Sequence, residues 1–183
     1  QSRSSAASDV YKRQLLMSTV VKVKVLKPQT LKQKEMRLEL LNALRSAARA
    51  VQRDYEATVA TWDRKPEFEL VIALGKTKAE FLVGTDDKIY GYVDEGTRPH
   101  IIAPKKAKVL RFSNIYRAKT SPGVVGSSDG GSSGDPVFAK VVRHPGIRAR
   151  KFSKTINAKH KKSFKDKMHE AMRRAREKSG NAI

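Results

Sequence analysis

The stretch TLKQKEMRLELLNALRSAARAVQRDYEATVATW (residues 30–62) is followed, four residues later, by EFELVIALGKTKAEFLV (residues 67–83). In the first stretch apolar residues recur every three or four positions, which predicts one amphipathic helix about 30 residues and about 45 Å long. Thr30 and Gln33 have the spacing of a capping box at its start. The apolar stripe serves either a coiled coil or, as we expect, packing across a sheet. It consists of Leu31, Leu38, Leu41, Leu44, Ala48, Val51, Tyr55, Val59 and Trp62.

The second stretch predicts a β-hairpin. Apolar residues occupy alternate positions from Phe68 to Leu74, the chain turns at Gly75, and residues 79–83 form the second strand. Alternating valines over residues 21–25 predict a further strand upstream. A long helix packed on a small antiparallel sheet belongs to the α+β class.

The composition limits the classes of protein to consider. The chain has 183 residues, 39% of them hydrophobic, which is enough for the core of one domain. It has no cysteine, so disulfides, a thiolate nucleophile and cysteine-based metal sites are excluded. The longest aliphatic run, residues 70–74, is far shorter than the roughly 18 to 20 residues that span a bilayer. We therefore expect a soluble protein with no membrane partner.

The charge is large and unevenly distributed. The chain has 39 Lys and Arg against 18 Asp and Glu, a formal net charge of +21. Residues 61–97 contain five basic and eight acidic residues, residues 98–119 contain seven basic and no acidic ones, and residues 140–178 contain fifteen and three. Such a field attracts a polyanion or an acidic protein surface. It also arises from a solvated helix face that has no partner.

The elements after the hairpin are short. Residues 89–93 fit either a helical turn or a strand, and residues 101–102 and 109–112 are extended. Residues 137–142 resume a strand, which ends in a turn at residues 144–146.

A flexible loop and a basic helix complete the predicted fold. Residues 121–136 are mostly Gly, Ser, Asp and Pro, which predicts a flexible loop. Phe112 and Phe138 lie on either side of it, and we expect them to pair across a hairpin. Apolar residues then recur from Phe152 to Ala175 at helical spacing, which predicts a basic C-terminal helix over residues 153–178.

Enzyme signatures are weak. The segment at residues 75–77 lacks the earlier glycine that a phosphate-binding loop needs, and His160 and His169 lie on opposite faces of a helix. Two acidic pairs, at residues 86–87 and 94–95, resemble those of metal-dependent nucleases, but no third ligand stands at a recognisable spacing. We expect no enzyme, no metal and no cofactor. A small metal-dependent nuclease is the alternative that these pairs leave open, with His100 or His144 as the base.

Nucleic-acid binding is the principal alternative function. The carboxyl half is strongly basic but has few aromatic residues on which bases can stack, and Phe152 and Phe164 are at core-like helical spacing. Any contact with nucleic acid is then expected to be nonspecific, through phosphates, and sensitive to salt.

One set of short elements is specific in its order and spacing. Glycines and prolines within it suit rigid turns between short strands, and its histidines suit hydrogen-bonding turn positions. The set consists of Glu95, Gly96 and Thr97; Pro99 and His100; Pro104 and Lys105; Leu110 and Phe112; Phe138, Ala139 and Lys140; His144, Pro145 and Gly146; and Phe152.

This set resembles the tail-component family of long-tailed bacteriophages, over roughly residues 30–156. The resemblance implies a non-enzymatic structural protein of a phage or prophage that acts in head–tail joining or tail completion. It implies a ring of about six identical copies, in contact with neighbouring neck or tail-tube proteins and, nonspecifically, with packaged DNA. The implied location is the virion, at the head–tail junction or the tail end, after assembly in the bacterial host cytoplasm.

A ring needs two complementary surfaces on each subunit, and the charge distribution offers them. The acidic candidates are Glu67, Glu69, Glu80, Asp86 and Asp87. The candidate basic interface consists of Arg148, Arg150, Lys151, Lys154 and Lys161.

The expected organisation is one domain over residues 17–178, preceded by a non-native or disordered extension at residues 1–16. That extension is rich in Ser, Ala and Arg, lacks hydrophobic periodicity and precedes Met17. We predict that its deletion leaves the melting temperature and the assembly state unchanged, because it has no pattern that packs. Thermal unfolding and light scattering of the two proteins check this. A loss of several degrees in melting temperature would contradict it.

Overall fold

The computed structural model describes residues 21–24, 32–75 and 78–179. Residues 1–16, the capping residue Thr30 and Leu31 lie outside this part of the chain. In the described part, helices and small antiparallel sheets alternate, which confirms the α+β class. The helices are α1 (Gln33–Thr58), α2 (Lys88–Glu95) and α3 (Phe152–Lys178). The strands are β1 (Val21–Lys24), β2 (Glu69–Leu74), β3 (Lys78–Gly84), β4 (His100–Ile102), β5 (Leu110–Arg117), β6 (Gly131–Ala139) and β7 (Val142–His144).

The contacts divide the chain into two compact units. The second unit consists of Ala57–Pro66 and Asp87–Phe152, and the first unit contains the other described residues. The first unit therefore holds the sheet β1–β3–β2 and nearly all of α1 and α3, whereas the second holds α2 and the strands β4 to β7. One domain over residues 17–178 stays a prediction.

The core of the first unit lies on one face of its sheet. Ala79, Phe81 and Val83 alternate along the central strand β3 and are buried, as the period of a strand requires. The Phe81 ring meets the Phe164 ring of α3 edge-on at 5.5 Å between centroids. The ring centroid of Tyr55 on α1 lies 5.1 Å from that of Phe68, just before β2, so both helices contribute to this core.

Helix α1 is shorter than predicted, and in its first turns the buried face differs from the predicted apolar stripe. It ends at Thr58, so Trp62 lies beyond it in a turn rather than on its stripe. Leu38, which the spacing places on the stripe, is 48% exposed, whereas Leu40 is 2% exposed. The sequence around Leu38 is compatible with burial of either helix face, and packing in the unit buries the face that contains Leu40. The buried face consists of Met36, Leu40, Ala43, Leu44, Ala47, Ala48, Val51 and Tyr55.

Helix α3 begins and ends within one residue of its predicted bounds. Ile156, Phe164, Met168 and Ala175 are buried at helical spacing, as the sequence pattern predicts. His160 occupies the same face, where its Nε2 lies 2.7 Å from a carboxylate oxygen of Asp54 on α1.

Two carboxylates of α1 bind basic side chains of α3. Burial raises the pKa of Asp54, but hydrogen bonds from Lys159 and His160 outweigh it, so the pKa lies below its ordinary value. The buried carboxylate of Glu39 accepts a hydrogen bond from Lys178, which raises the pKa of that ammonium group. Part of the basic face of α3 therefore has carboxylate partners within the unit.

Several elements of the second unit have bounds that differ from those predicted from the sequence. The ambiguous residues 89–93 are helical, because Asp87 caps the start of α2. The loop predicted over residues 121–136 is wrong over residues 131–136, which belong to β6 and pair with β5. The strand predicted over residues 137–142 is interrupted after Ala139, and its last residue begins β7. Gly and Ser have low strand propensity, so pairing with β5 outweighs it here.

Leu38 and Leu40 provide a matched test of the orientation of α1. Leu40→Ala should lower the free energy of unfolding by about 2 to 5 kcal/mol, because it removes a buried side chain and leaves a cavity. Leu38→Ala, a substitution of the same type in the same helix, should change it by no more than about 0.5 kcal/mol. Denaturant unfolding of both variants gives the two values. Equal losses would show that the two faces are buried alike.

Candidate functional site

The specific set of elements lies within the second unit. All of its residues, from Glu95 to Phe152, belong to that unit, together with Arg148, Arg150 and Lys151 of the candidate basic interface. The other two members of that interface, Lys154 and Lys161, are exposed on α3 in the first unit. The five basic residues are therefore distributed over both units.

Thr97 of the set forms an isolated antiparallel bridge with Ile147, the residue that follows Gly146 of the set. The N–H of Thr97 donates to the carbonyl oxygen of Ile147 at 2.9 Å, and the N–H of Ile147 donates back to the carbonyl oxygen of Thr97 at 3.2 Å. The Thr97 hydroxyl oxygen also accepts from the Ile147 N–H at 3.0 Å. This bridge joins the segment after α2 to the segment after β7.

The glycines beside the bridge permit its close backbone approach. Gly96 has φ of +81°, and a Cβ there would lie 2.6 Å from the carbonyl oxygen of Ile147. Gly146 has φ of +92°, and a Cβ there would lie 2.3 Å from the carbonyl oxygen of Thr97. Both positions therefore need glycine for conformation and for space.

The two histidines of the set lie opposite each other in the sheet β4–β7. His100 pairs with His144, and their rings stack at 5.0 Å between centroids. A ring nitrogen of His100 lies 2.9 Å from the carbonyl oxygen of Arg98, and the N–H of Gly146 donates to Nδ1 of His144 at 3.0 Å. Each ring thus has a backbone partner within two residues.

The segment that enters α3 is attached to the end of α2. The N–H groups of Arg150 and Lys151 donate to the carbonyl oxygens of Val93 and Asp94, at 3.1 and 2.9 Å. Lys151 has φ of +58°, an uncommon conformation for a lysine, which these bonds maintain. Phe152 is fully buried, with its ring 5.9 Å from that of Tyr90.

Strands β5 and β6 form a two-stranded ribbon. Leu110 lies opposite Ala139 and Phe112 opposite Val137, whereas Phe138 lies opposite Arg111. Phe112 and Phe138 are thus in one hairpin, but they are not partners and lie on opposite faces, because successive residues of a strand alternate. Pro104 and Lys105 precede β5 and Lys140 follows β6, at the same end of the ribbon.

Both faces of this ribbon expose large apolar side chains. Phe138 is 61% exposed and Ile115 is 50% exposed on one face. Phe112 is 42% exposed and Tyr116 is 70% exposed on the other. We call these four residues the ribbon surface.

The connection between β5 and β6 is bound to the rest of its unit. Within the connection, the N–H of Ser128 donates to the carbonyl oxygen of Lys119 at 2.7 Å. Toward the rest of the unit, the N–H of Gly126 donates to the hydroxyl of Thr58 at 3.2 Å. The N–H of Gly123 donates to the carbonyl oxygen of Arg150 at 2.8 Å. These bonds fix the loop beside the segment that carries Arg148 and Arg150.

A cleft of about 700 Å³ lies in the second unit where these segments meet. Its lining includes the two aromatic residues Trp62 and Tyr116, a part of the specific set, residues 144–146, and the neighbouring Ile147. It also includes four residues with cationic side chains, Arg64, Lys119, Arg148 and Arg150. The volume is within the range of small-molecule sites.

One member of each acidic pair belongs to the start or the end of α2. Asp87 accepts hydrogen bonds from the N–H groups of Ile89 and Tyr90 at 2.7 and 2.9 Å, and so caps α2. Asp94 is buried at the end of the same helix. Among the residues described, no group of three or more acidic or histidine side chains is arranged to hold a metal ion.

Sequence analysis missed the cleft. It assigned Trp62 to the stripe of α1 and gave Tyr116 no role, because neither belongs to a recognised motif. A weak signal was present, since each aromatic residue precedes a basic one by two or three positions, Arg64 and Lys119. That pattern alone gives no indication that residues 62–64 and 116–119 meet.

Two glycines offer a matched test of the bridge. Gly146→Ala should be destabilising by more than the roughly 1 to 2 kcal/mol that a left-handed backbone costs an alanine, because the added Cβ also collides with Thr97. Gly123→Ala should incur the conformational cost alone, since Gly123 has φ of +72° and no atom within 4 Å of an added Cβ. Denaturant unfolding measures both, and equal losses would show that the bridge tolerates a side chain.

Comparisons with protein-family models, with curated proteins and with solved structures give no match for this chain. In the part of the chain that the structure describes, no helix is long and apolar enough to cross a membrane. Function must therefore be inferred from the residues and geometry of this chain.

Proposed function

We propose that the protein is a non-enzymatic structural component of a tailed bacteriophage or prophage that acts in head–tail joining or tail completion. The observation that carries this proposal is the ribbon surface, four large apolar side chains exposed on a two-stranded ribbon. The specific set of sequence elements, which resembles phage tail components, supplies the biological context.

A two-stranded ribbon with this surface is incomplete by itself. An isolated pair of strands is at best marginally stable in water, and several large apolar side chains exposed along one short ribbon favour an interaction site. Both outer edges of the pair also present backbone groups to a further strand. Contact with another protein surface would bury these side chains and pair these edges.

A second copy of the chain is the partner that its charges favour. Strand β5 of the ribbon lies in the stretch of residues 98–119, which contains seven basic residues and no acidic one, whereas β6 contains a single acidic residue, Asp135. The sheet edge strand β2 has exposed Glu67 and Glu69 at its start and exposed Val71 within it. Ribbon and strand therefore have opposite charges and a shared apolar character, which favours association of one copy's ribbon with another copy's β2.

Two different surfaces on each copy generate a head-to-tail contact, and such contacts form a ring when the rotation between neighbouring copies closes. A ring of about six copies is what the resemblance implies. In this proposal the bridge between Thr97 and Ile147 and the close approach at Gly96 and Gly146 hold the base of the ribbon. The neighbouring neck or tail-tube proteins would bind the faces of the ring, in the virion, after assembly in the host cytoplasm.

A structural role is also consistent with the use of the polar residues. Asp87 caps a helix, and His100 and His144 have backbone hydrogen bonds. These side chains stabilise local backbone conformation, as the polar residues of a structural protein do.

The ribbon surface can be tested by a pair of substitutions. Ile115→Thr with Phe138→Thr should dissociate the oligomer, because central apolar contacts of an interface are worth about 2 kcal/mol or more each. Threonine retains strand propensity, so the melting temperature of the monomer should change little. Analytical ultracentrifugation measures the assembly state.

Val124→Thr is the control, because Val124 is an exposed apolar residue of the same unit outside the ribbon. It should leave the oligomer intact. A wild-type protein that is monomeric at all concentrations would overturn the proposal. If that monomer also bound DNA tightly at about 150 mM salt, the alternative of a basic nucleic-acid-binding protein would be favoured.

A further inference from the structure

The cleft of the second unit has more cationic charge than its own carboxylates neutralise. Nζ of Lys119 lies 2.8 Å from a carboxylate oxygen of Asp63, and Nε of Arg64 lies 3.8 Å from one of Asp87. These two pairs use both aspartates of the lining. Among the described residues, Arg148 and Arg150 have no ion-pair partner.

Arg150 is held with its side chain partly buried. Its N–H donates to Val93 and its carbonyl oxygen accepts from Gly123, so its backbone is fixed on both sides. Its Nε is buried and has no hydrogen-bond acceptor in the described part of the chain. Arg150 lines the cleft, and its guanidinium charge is not neutralised by a carboxylate of the described residues, which favours an oxyanion in the cleft.

The same cleft contains two aromatic rings. Trp62 is half-buried, with its ring 6.2 Å from that of Tyr90, which holds it in place. Tyr116 is largely exposed. Aromatic rings beside guanidinium groups are the combination with which proteins bind nucleotides, since the rings stack on bases and the guanidinium groups pair with phosphates.

We propose that this cleft binds a nucleotide unit, with its phosphate on Arg148 and Arg150 and its base against Tyr116 or Trp62. An acidic peptide would satisfy the arginines but would not use the rings, so the observations favour the nucleotide. This inference goes beyond the assembly role and does not depend on it. The unit belongs either to a free nucleotide or to a single strand of nucleic acid, which share this chemistry.

Trp62 makes the proposal directly measurable, because it is the only tryptophan of the chain. Titration of the full-length protein with thymidine monophosphate or with oligothymidylate should quench its fluorescence to saturation. Thymidine without phosphate should bind at least about tenfold more weakly, because it lacks the group that pairs with the arginines. Tighter binding of the oligonucleotide than of the mononucleotide would identify a single strand as the source, and equal binding per site would identify the free nucleotide.

Two variants separate the cleft from the general positive charge. Arg148→Gln with Arg150→Gln should weaken quenching at least about tenfold. Lys161→Gln with Lys165→Gln removes the same charge from exposed positions of α3 and should leave it unchanged. Tyr116→Ala provides a second test that does not disturb the core, because Tyr116 is exposed, and it should reduce the preference for the nucleotide over inorganic phosphate.

Several results would overturn the proposal. One is the absence of saturable quenching with either nucleotide ligand. Another is equal weakening by the arginine and lysine pairs, which would indicate nonspecific attraction. Equal binding of polyglutamate would show that the site accepts carboxylates, and equal binding of inorganic phosphate would show that the rings have no part. Tyr116→Ala also alters the ribbon surface, so its assembly state is measured beside its binding. The other variants and ligands leave the ribbon surface unchanged, so their results do not affect the proposed assembly role.

Discussion

The second unit depends on the backbone bridge between Thr97 and Ile147. This bridge closes a loop of about fifty residues that contains strands β4 to β7 and their connections. Closing a loop of that length is entropically unfavourable, and side chains at positions 96 and 146 would obstruct it. The mutual hydrogen bonds and the two glycines make the closure possible, and the adjacent stacking of His100 on His144 extends it.

Two features follow from that closure. The ribbon β5–β6 starts and ends within the closed loop. Most of its side chains are not covered by other residues of the unit and are exposed. The connection at its other end is hydrogen-bonded to Thr58 and to Arg150, beside the cleft. A single closure thus supports both an exposed apolar surface and a cationic cleft, so the proposed assembly role and the proposed nucleotide site are compatible within one unit.

The two units also differ in how many of their basic side chains have carboxylate partners. In the first unit, Asp54 and Glu39 of α1 bind lysine, histidine and arginine side chains of α3, so part of that basic helix is used in folding. In the second unit, Arg148 and Arg150 have no such partners among the described residues. The total charge of the chain therefore does not indicate which basic residues are available to a ligand, whereas their pairing does.

The sequence by itself determined the fold class, the two long helices and the hairpin of the first unit. These elements have strong periodicities, 3.6 or 2 residues, and the alternation at Phe81 or the spacing of Phe164 and Met168 already indicates which side is buried. The sequence also indicated the turns at Gly96 and Gly146. Only the tertiary structure decided the phase of α1 at Leu40, the extension of β6 into the Gly- and Ser-rich segment, and the meeting of Trp62, Tyr116 and Arg150. Each of these depends on contacts between residues distant in the sequence, which local propensity and periodicity do not encode.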